Sequence, residues 1–189
     1  MNLNALYRKA RSIRRFTKEP VSDEALKTIL ENCRIASCGR NAQTLTYVVV
    51  KSPEKVSAMH HLLKWAAALP DGKGTPADDQ YPPLYLVIIQ HQKGGLTDID
   101  AGIAANTIMT SATDLGLASC IFASHNPVKV SELLTLKEEE NPRLVIALGH
   151  PACESTIVDM QDNNINYTMD DNAHFYVPKR ALKDIVEIK

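Results

Sequence analysis

A mixed α/β layer fold, with helices around one sheet, is what this sequence predicts. Two observations carry the prediction. Four short apolar runs are continuous rather than alternating, as strands buried on both faces should be. Between them lie segments with helix-opening residues. The 189 residues suffice for one domain with a sizeable core, taken over 1–189.

The strand runs are "TYVVV" ending at Val50, "LYLVIIQ" ending at Gln90, "SCIFA" ending at Ala123 and "RLVIALG" ending at Gly149. Their order in the sheet is not legible. Ser22 is placed to cap a helix with Asp23 and Glu24 in its first turn and Leu26, Ile29, Leu30 and Cys33 on one face. Ser52-Pro53 and Asn126-Pro127 open two more, with proline at the first helical position. Thr97 and Asp100 have capping-box spacing ahead of "AGIAANTIMTSATDLG". That segment is small or apolar almost all round, which predicts a buried central helix ended by Gly116. "LPDGKGTPADDQYPP", Leu69 to Pro83, reads as one long surface loop. The terminal "ALKDIVEIK" reads as a short helix or strand.

Composition narrows the function classes. The formal net charge is -1, so a general nucleic-acid binder is not expected. No apolar run reaches membrane-spanning length and no secretory core stands near Met1. The four cysteines form no Cys-x-x-Cys pair, and a reducing, cytoplasmic setting is expected. No Gly-x-Gly-x-x-Gly follows a strand, and there is no His-Glu-x-x-His or Gly-x-Ser-x-Gly. His60 and His61 are adjacent and point to different sides of a helix, so no metal site is expected. Cys38 and Cys120 read as bland thiols rather than nucleophiles.

One feature stands out against this neutral background. "KARSIRRF", Lys9 to Phe16, is flanked by Arg8 and Lys18 and meets no acid before Glu19. A targeting peptide, a nucleic-acid arm, a solvated helix face and a phosphate pocket are all open readings. A second cationic stretch, "VPKR" at Val177–Arg180, lies at the other end of the chain. One shared anion would account for both, with Arg forking onto phosphate oxygens and Lys supplying a point charge.

Four stretches in order resemble the flavin-dependent nitroreductase family: "ARSIRRF", "CGRNAQTLTYVVV", "AANTIMTSATDLGLASCIF" and "HFYVPKRALKDIV". The resemblance implies an α+β fold, a mixed central sheet flanked by helices, and FMN bound at the interface of an intertwined homodimer. It implies that Arg11, Ser12 and Arg14 hold the FMN tail, with Lys179 and Arg180 reaching the same phosphate. Asn41 would face the polar edge of the flavin ring, and Gln43 would do the same or brace the loop. Ala123 and Ser124 would offer backbone N–H groups near flavin N5. The implied activity is ping-pong hydride transfer from NAD(P)H through FMN to a nitroaromatic or quinone, with no catalytic side chain named. A flavin-binding sensor or cofactor-handling protein and a specialised enzyme such as a dehalogenase are the alternatives. The loop Leu69–Pro83 is expected at the substrate mouth. The sequence departs from the family pattern at Ala10, where arginine is usual, at Ser37-Cys38, at Gln43-Thr44-Leu45, and at Ala123, where some members carry an acid.

Overall fold

The computed structural model describes residues 2–92 and 94–189; Met1 and Lys93 lie outside the described residues. All four expected strands form: β1 Leu45–Val50, β2 Leu84–Gln90, β3 Ala118–Phe122 and β4 Asn141–Gly149. They make one antiparallel sheet in the order β1-β2-β4-β3. Every residue of β2 is buried, because both faces are covered. Tyr85, Val87 and Ile89 point to a core that includes Met59, Trp65 and Val130. Leu86 and Ile88 point to the opposite core, with Ile29, Ala105 and Ile108. This two-sided burial is why the run carries no polar alternation. β1 differs from the expectation. As an edge strand it is mostly half-buried, with Thr46 exposed and Val50 buried.

The helices are α1 Leu3–Lys9, α2 Asp23–Ile35, α3 Pro53–Leu62, α4 Leu96–Asp114 and α5 Pro127–Leu134. Ser22 caps α2 by accepting from Ala25 N at 3.1 Å. Asn126 caps α5 through Val128 N and Lys129 N. Ser52 precedes α3 as expected but makes no side-chain cap bond. The capping box at Thr97 and Asp100 does not form. α4 starts two residues earlier, after Gly95, whose φ of 61° turns the chain into the helix. Thr97 and Asp100 are therefore helical, and both are buried. Gly116, with φ 76°, ends α4 as expected.

Beyond the main sheet the chain builds a second one that was not anticipated. β5 Ser155–Asp159, β6 Thr168–Met169 and β7 Phe175–Lys179 pair in the order β5-β7-β6, with β5 and β7 parallel. This sheet brings "VPKR" back towards the start of the chain. Of the short helix or strand expected in the last segment, a single 3-10 turn forms, Leu182–Asp184, and the segment is exposed. The loop 69–83 is not a loose surface excursion, since Gly74 and Pro76 are buried. Among the described residues, no helix is long and apolar enough to cross a membrane.

Candidate functional site

The basic cluster occupies a segment that bridges to the main sheet. Ser12 forms a parallel bridge with Ser119, and Ile13 N donates to Ser119 O at 3.0 Å. Phe16 bridges to Pro151. Ile13, Arg15 and Phe16 are buried, whereas Arg11, Ser12 and Arg14 are half-buried and line a cavity of about 160 Å³. Lys179 from β7 lines the same cavity, as do Ser155 and Tyr167. The two ends of the sequence thus meet at one concave, cationic surface. None of its lining residues is acidic.

Its side chains are held ready. The Arg14 guanidinium lies over two rings, 4.8 Å from the centroid of Tyr167 and 4.9 Å from that of Phe175. Arg11 Nη2 donates to Tyr7 O at 3.0 Å. Arg11 Nε and Ser155 Oγ are buried without a hydrogen-bond partner. Burial also pulls the Arg11 pKa below its ordinary value, although guanidinium stays charged. A buried donor on a cation without an acceptor is costly, and an anionic oxygen would satisfy both its charge and its geometry. The cavity therefore fits a phosphate group. Ala10, which stands where the family carries a first arginine, is only 1% exposed at the cavity wall. The cationic set is left to Arg11, Arg14 and Lys179.

The remaining expected residues lie elsewhere. Arg180 is exposed and does not line the cavity. Ala123 and Ser124 are exposed just beyond β3, where Ser124 O accepts from Lys64 N at 3.2 Å. Gln43 lines a second cavity of about 450 Å³, with Cys38, Thr44, Tyr47 and Asp100. Asn41 sits on the 3-10 turn Gly39–Asn41 that enters this region. The turn is strained: Arg40, Asn41 and Gln43 have φ of 55°, 51° and 50°. At about 1.5 Å of rise per residue, Asp100 at the second cavity and Met109 at the first lie roughly 14 Å apart along α4. Met109 lines the first cavity and Asp100 the second.

Ser155, Tyr167 and Phe175 carry no site role in the sequence reading, and Asp100 carries only that of a cap. The first three belong to the second sheet and its approach. A further cavity of about 420 Å³ shares Tyr167 and is walled by Leu69, Pro70 and Lys73 of the loop. Among the described residues, no group of His, Cys, Asp or Glu could hold a metal ion.

The sequence pattern of the Nitroreductase family matches residues 7–150. The chain belongs to the nitroreductase family. An FMN reductase [NAD(P)H] of Bacillus subtilis is 31% identical over 159 residues, covering 77% of this chain and 64% of its own length. A second B. subtilis relative, an FMN reductase (NADPH), is 26% identical over 157 residues, covering 75% of this chain and 63% of its own. The chain spans just under two thirds of the length of each. Among solved structures, a nitroreductase family protein from Clostridium difficile superposes with a TM-score of 0.65 at 26% identity, over 80% of this chain and 86% of that one. One from Streptococcus pneumoniae covers 100% of both chains with a TM-score of 0.71 at 16% identity, a likeness of fold alone. The nitroreductase match ends at His150, so the second sheet and Lys179 lie beyond it.

Proposed function

We propose that this nitroreductase-family chain is an FMN-dependent NAD(P)H oxidoreductase acting on an acceptor such as a nitroaromatic or a quinone. The observation that carries the proposal is the small cationic cavity where Arg11, Ser12, Arg14 and Lys179 converge and Arg11 Nε is left without an acceptor. Arg11, Ser12, Arg14 and Lys179 would hold the phosphate, with Ser155 as an added donor. Exposed Arg180 would contribute at longer range. The names of the B. subtilis relatives support FMN and NAD(P)H as the redox pair.

FMN, when bound, supplies two-electron chemistry between the nicotinamide and the acceptor. The chain's own residues bind and orient. Arg14, braced by its two rings, fixes the phosphate end. Asn41 and Gln43 would meet the polar edge of the ring, and the N–H groups of Ala123 and Ser124 would stabilise charge on its far side.

Asn41 and Gln43 would reach that ring from a second copy of the chain, in a homodimer with FMN at the interface. Leu96, Ile99 and Ile103 support this reading, since they leave one stripe of α4 exposed, and so do the exposed Leu3 and Tyr7 of α1. Leu69, Pro70 and Lys73 of the loop would wall the acceptor's entry.

The test is the visible spectrum of the purified protein after FMN addition and dialysis, followed by NADH or NADPH under anaerobic conditions. Retained flavin that bleaches with a nicotinamide, and is lost when Arg11 and Arg14 are both changed to Ala, is the expected result. A protein that refuses FMN would overturn the proposal.

A further inference from the structure

Arg15 stands between two residues of the cationic motif, yet it does not face the cavity. It is 6% exposed and is not among the residues that line that cavity. Its Nη2 donates to Lys73 O at 3.0 Å. Its Nη1 donates to Gly74 O at 3.1 Å and to Arg14 O at 3.3 Å. The guanidinium fork is thus spent on two consecutive carbonyls of the loop 69–83 and on the carbonyl of its own neighbour. Two more residues of the same segment hold the far half of the loop. Phe16 N donates to Gln80 O at 2.8 Å. Lys18 Nζ donates to Asp78 O at 2.8 Å and lies 3.2 Å from the Tyr81 ring centroid.

The loop is pressed where Arg15 grips it. A Cβ placed on Gly74 would collide with Ala66 Cβ, so this backbone has no room on its other side. Ala66 itself holds a φ of 40°, a strained value for a residue with a side chain. The Arg15 fork holds the Lys73–Gly74 backbone at this close contact.

We propose that Arg15 is a positioning residue that couples anion binding in the first cavity to the seating of the loop 69–83. The proposal rests on the reading of that cavity as the seat of the FMN phosphate. Two links carry the coupling. Arg14 and Arg15 are adjacent cations, joined by the Arg15 Nη1 bond to Arg14 O; burial first, and the Arg14 charge after it, work against the charge on Arg15, with Cys153 opposing them. A phosphate beside Arg14 offsets that repulsion and strengthens the hold on Lys73 and Gly74. Arg14 also stacks on Tyr167, which faces Leu69, Pro70 and Lys73 across the third cavity. Filling the phosphate seat therefore firms the wall through which an acceptor would enter. By linkage, the seated loop must favour phosphate to the same degree.

The experiment is limited trypsin digestion of the full chain, following cleavage after Lys73, whose carbonyl is the atom Arg15 holds. Hydrogen exchange over the loop amides gives the same comparison should cleavage be slow. Saturating FMN is expected to slow cleavage by roughly tenfold, and riboflavin, which lacks the phosphate, by less than about twofold. In Arg15→Lys, which keeps the charge but loses the fork, cleavage without ligand rises and FMN protection falls below about twofold. FMN binding weakens in that variant while riboflavin binding does not. Arg15→Met behaves likewise. A merely structural arginine would raise cleavage with and without ligand by the same factor, and that outcome overturns the proposal. Equal FMN protection in wild type and Arg15→Lys also overturns it. Failure of the wild type to bind FMN overturns the functional reading and the coupling with it. The ligand-free rates then still judge whether Arg15 holds the loop.

Discussion

Asp100 Oδ1 accepts a hydrogen bond from the backbone N–H of Gly39 at 2.8 Å. The carboxylate belongs to α4 and is only 4% exposed. The N–H opens the strained turn that carries Asn41. A charge-assisted bond from a rigid helix therefore holds three consecutive-to-near positions, Arg40, Asn41 and Gln43, in left-handed backbone. Asp100→Ala should cost about 1–3 kcal/mol, since Gly39 N–H loses its acceptor. Urea unfolding measures this. FMN affinity should fall as well, because the turn no longer presents Asn41. Unchanged stability together with unchanged FMN binding would show that Asp100 does not set this turn.

Ser155 invites the opposite sign for stability and binding. Its Oγ is buried without a partner, as is Nε of Arg11, which lines the same cavity. Removing an unsatisfied hydroxyl should leave the ligand-free protein as stable or slightly more so. FMN affinity should drop by roughly tenfold if that hydroxyl donates to the phosphate, the loss typical of a hydrogen bond to a charged group. Calorimetric melting and flavin fluorescence quenching of Ser155→Ala give the two readings. A loss of stability with no loss of affinity would mean that Ser155 serves packing alone.

The four main strands were legible because β2 and β4 are sandwiched between two cores, which forces unbroken apolar runs. Their order was not, because antiparallel partners are chosen by packing across the sheet rather than by local pattern. β5 and β7 escaped notice for a related reason. "STIVD" and "FYVPK" are mostly half-exposed, so they mix polar and apolar residues without a clean period. Resemblance to the family led to Arg11, Ser12, Arg14 and Lys179, and the fold brings these four together. It named Arg14 and gave Arg15 no role. That Arg15 spends its guanidinium on the loop carbonyls of Lys73 and Gly74 is legible only in the fold. Thr97 and Asp100 had the spacing of a cap, but Gly95 turned the chain first.

The cysteines should divide into two classes. Cys33 and Cys120 are buried, and burial pushes each thiol up to about 11. Cys38 and Cys153 are half-buried. Thiolate is the reacting form, so a disulfide reagent at neutral pH should modify Cys38 and Cys153 first. Cys33 and Cys120 should react only in denaturant. Peptide mapping of the labelled native protein checks the order. Labelling of Cys120 as fast as Cys38 would show that β3 opens on the timescale of the reaction.

Acid should act on the loop through His60. The ring is 3% exposed and packs against Tyr81 at 4.8 Å and Trp65 at 5.2 Å between centroids. Its Nδ1 faces Tyr85 OH at 3.5 Å. Burial lowers the pKa from 6.5 to about 4, with further depression from His61 and Lys18 and partial relief from Asp78 and the Pro76 backbone. The unfolded chain therefore binds this proton first, near pH 6.5, and the folded chain only near pH 4. The stability that the neutral ring contributes is complete above about pH 6.5 and is lost as pH falls towards about 4. His60→Gln should be less stable at pH 7.5 but should lose less on acidification across that window. Urea midpoints from pH 7.5 to pH 4.5 for both proteins give the comparison. Parallel losses would assign acid sensitivity to other groups and leave His60 a packing residue.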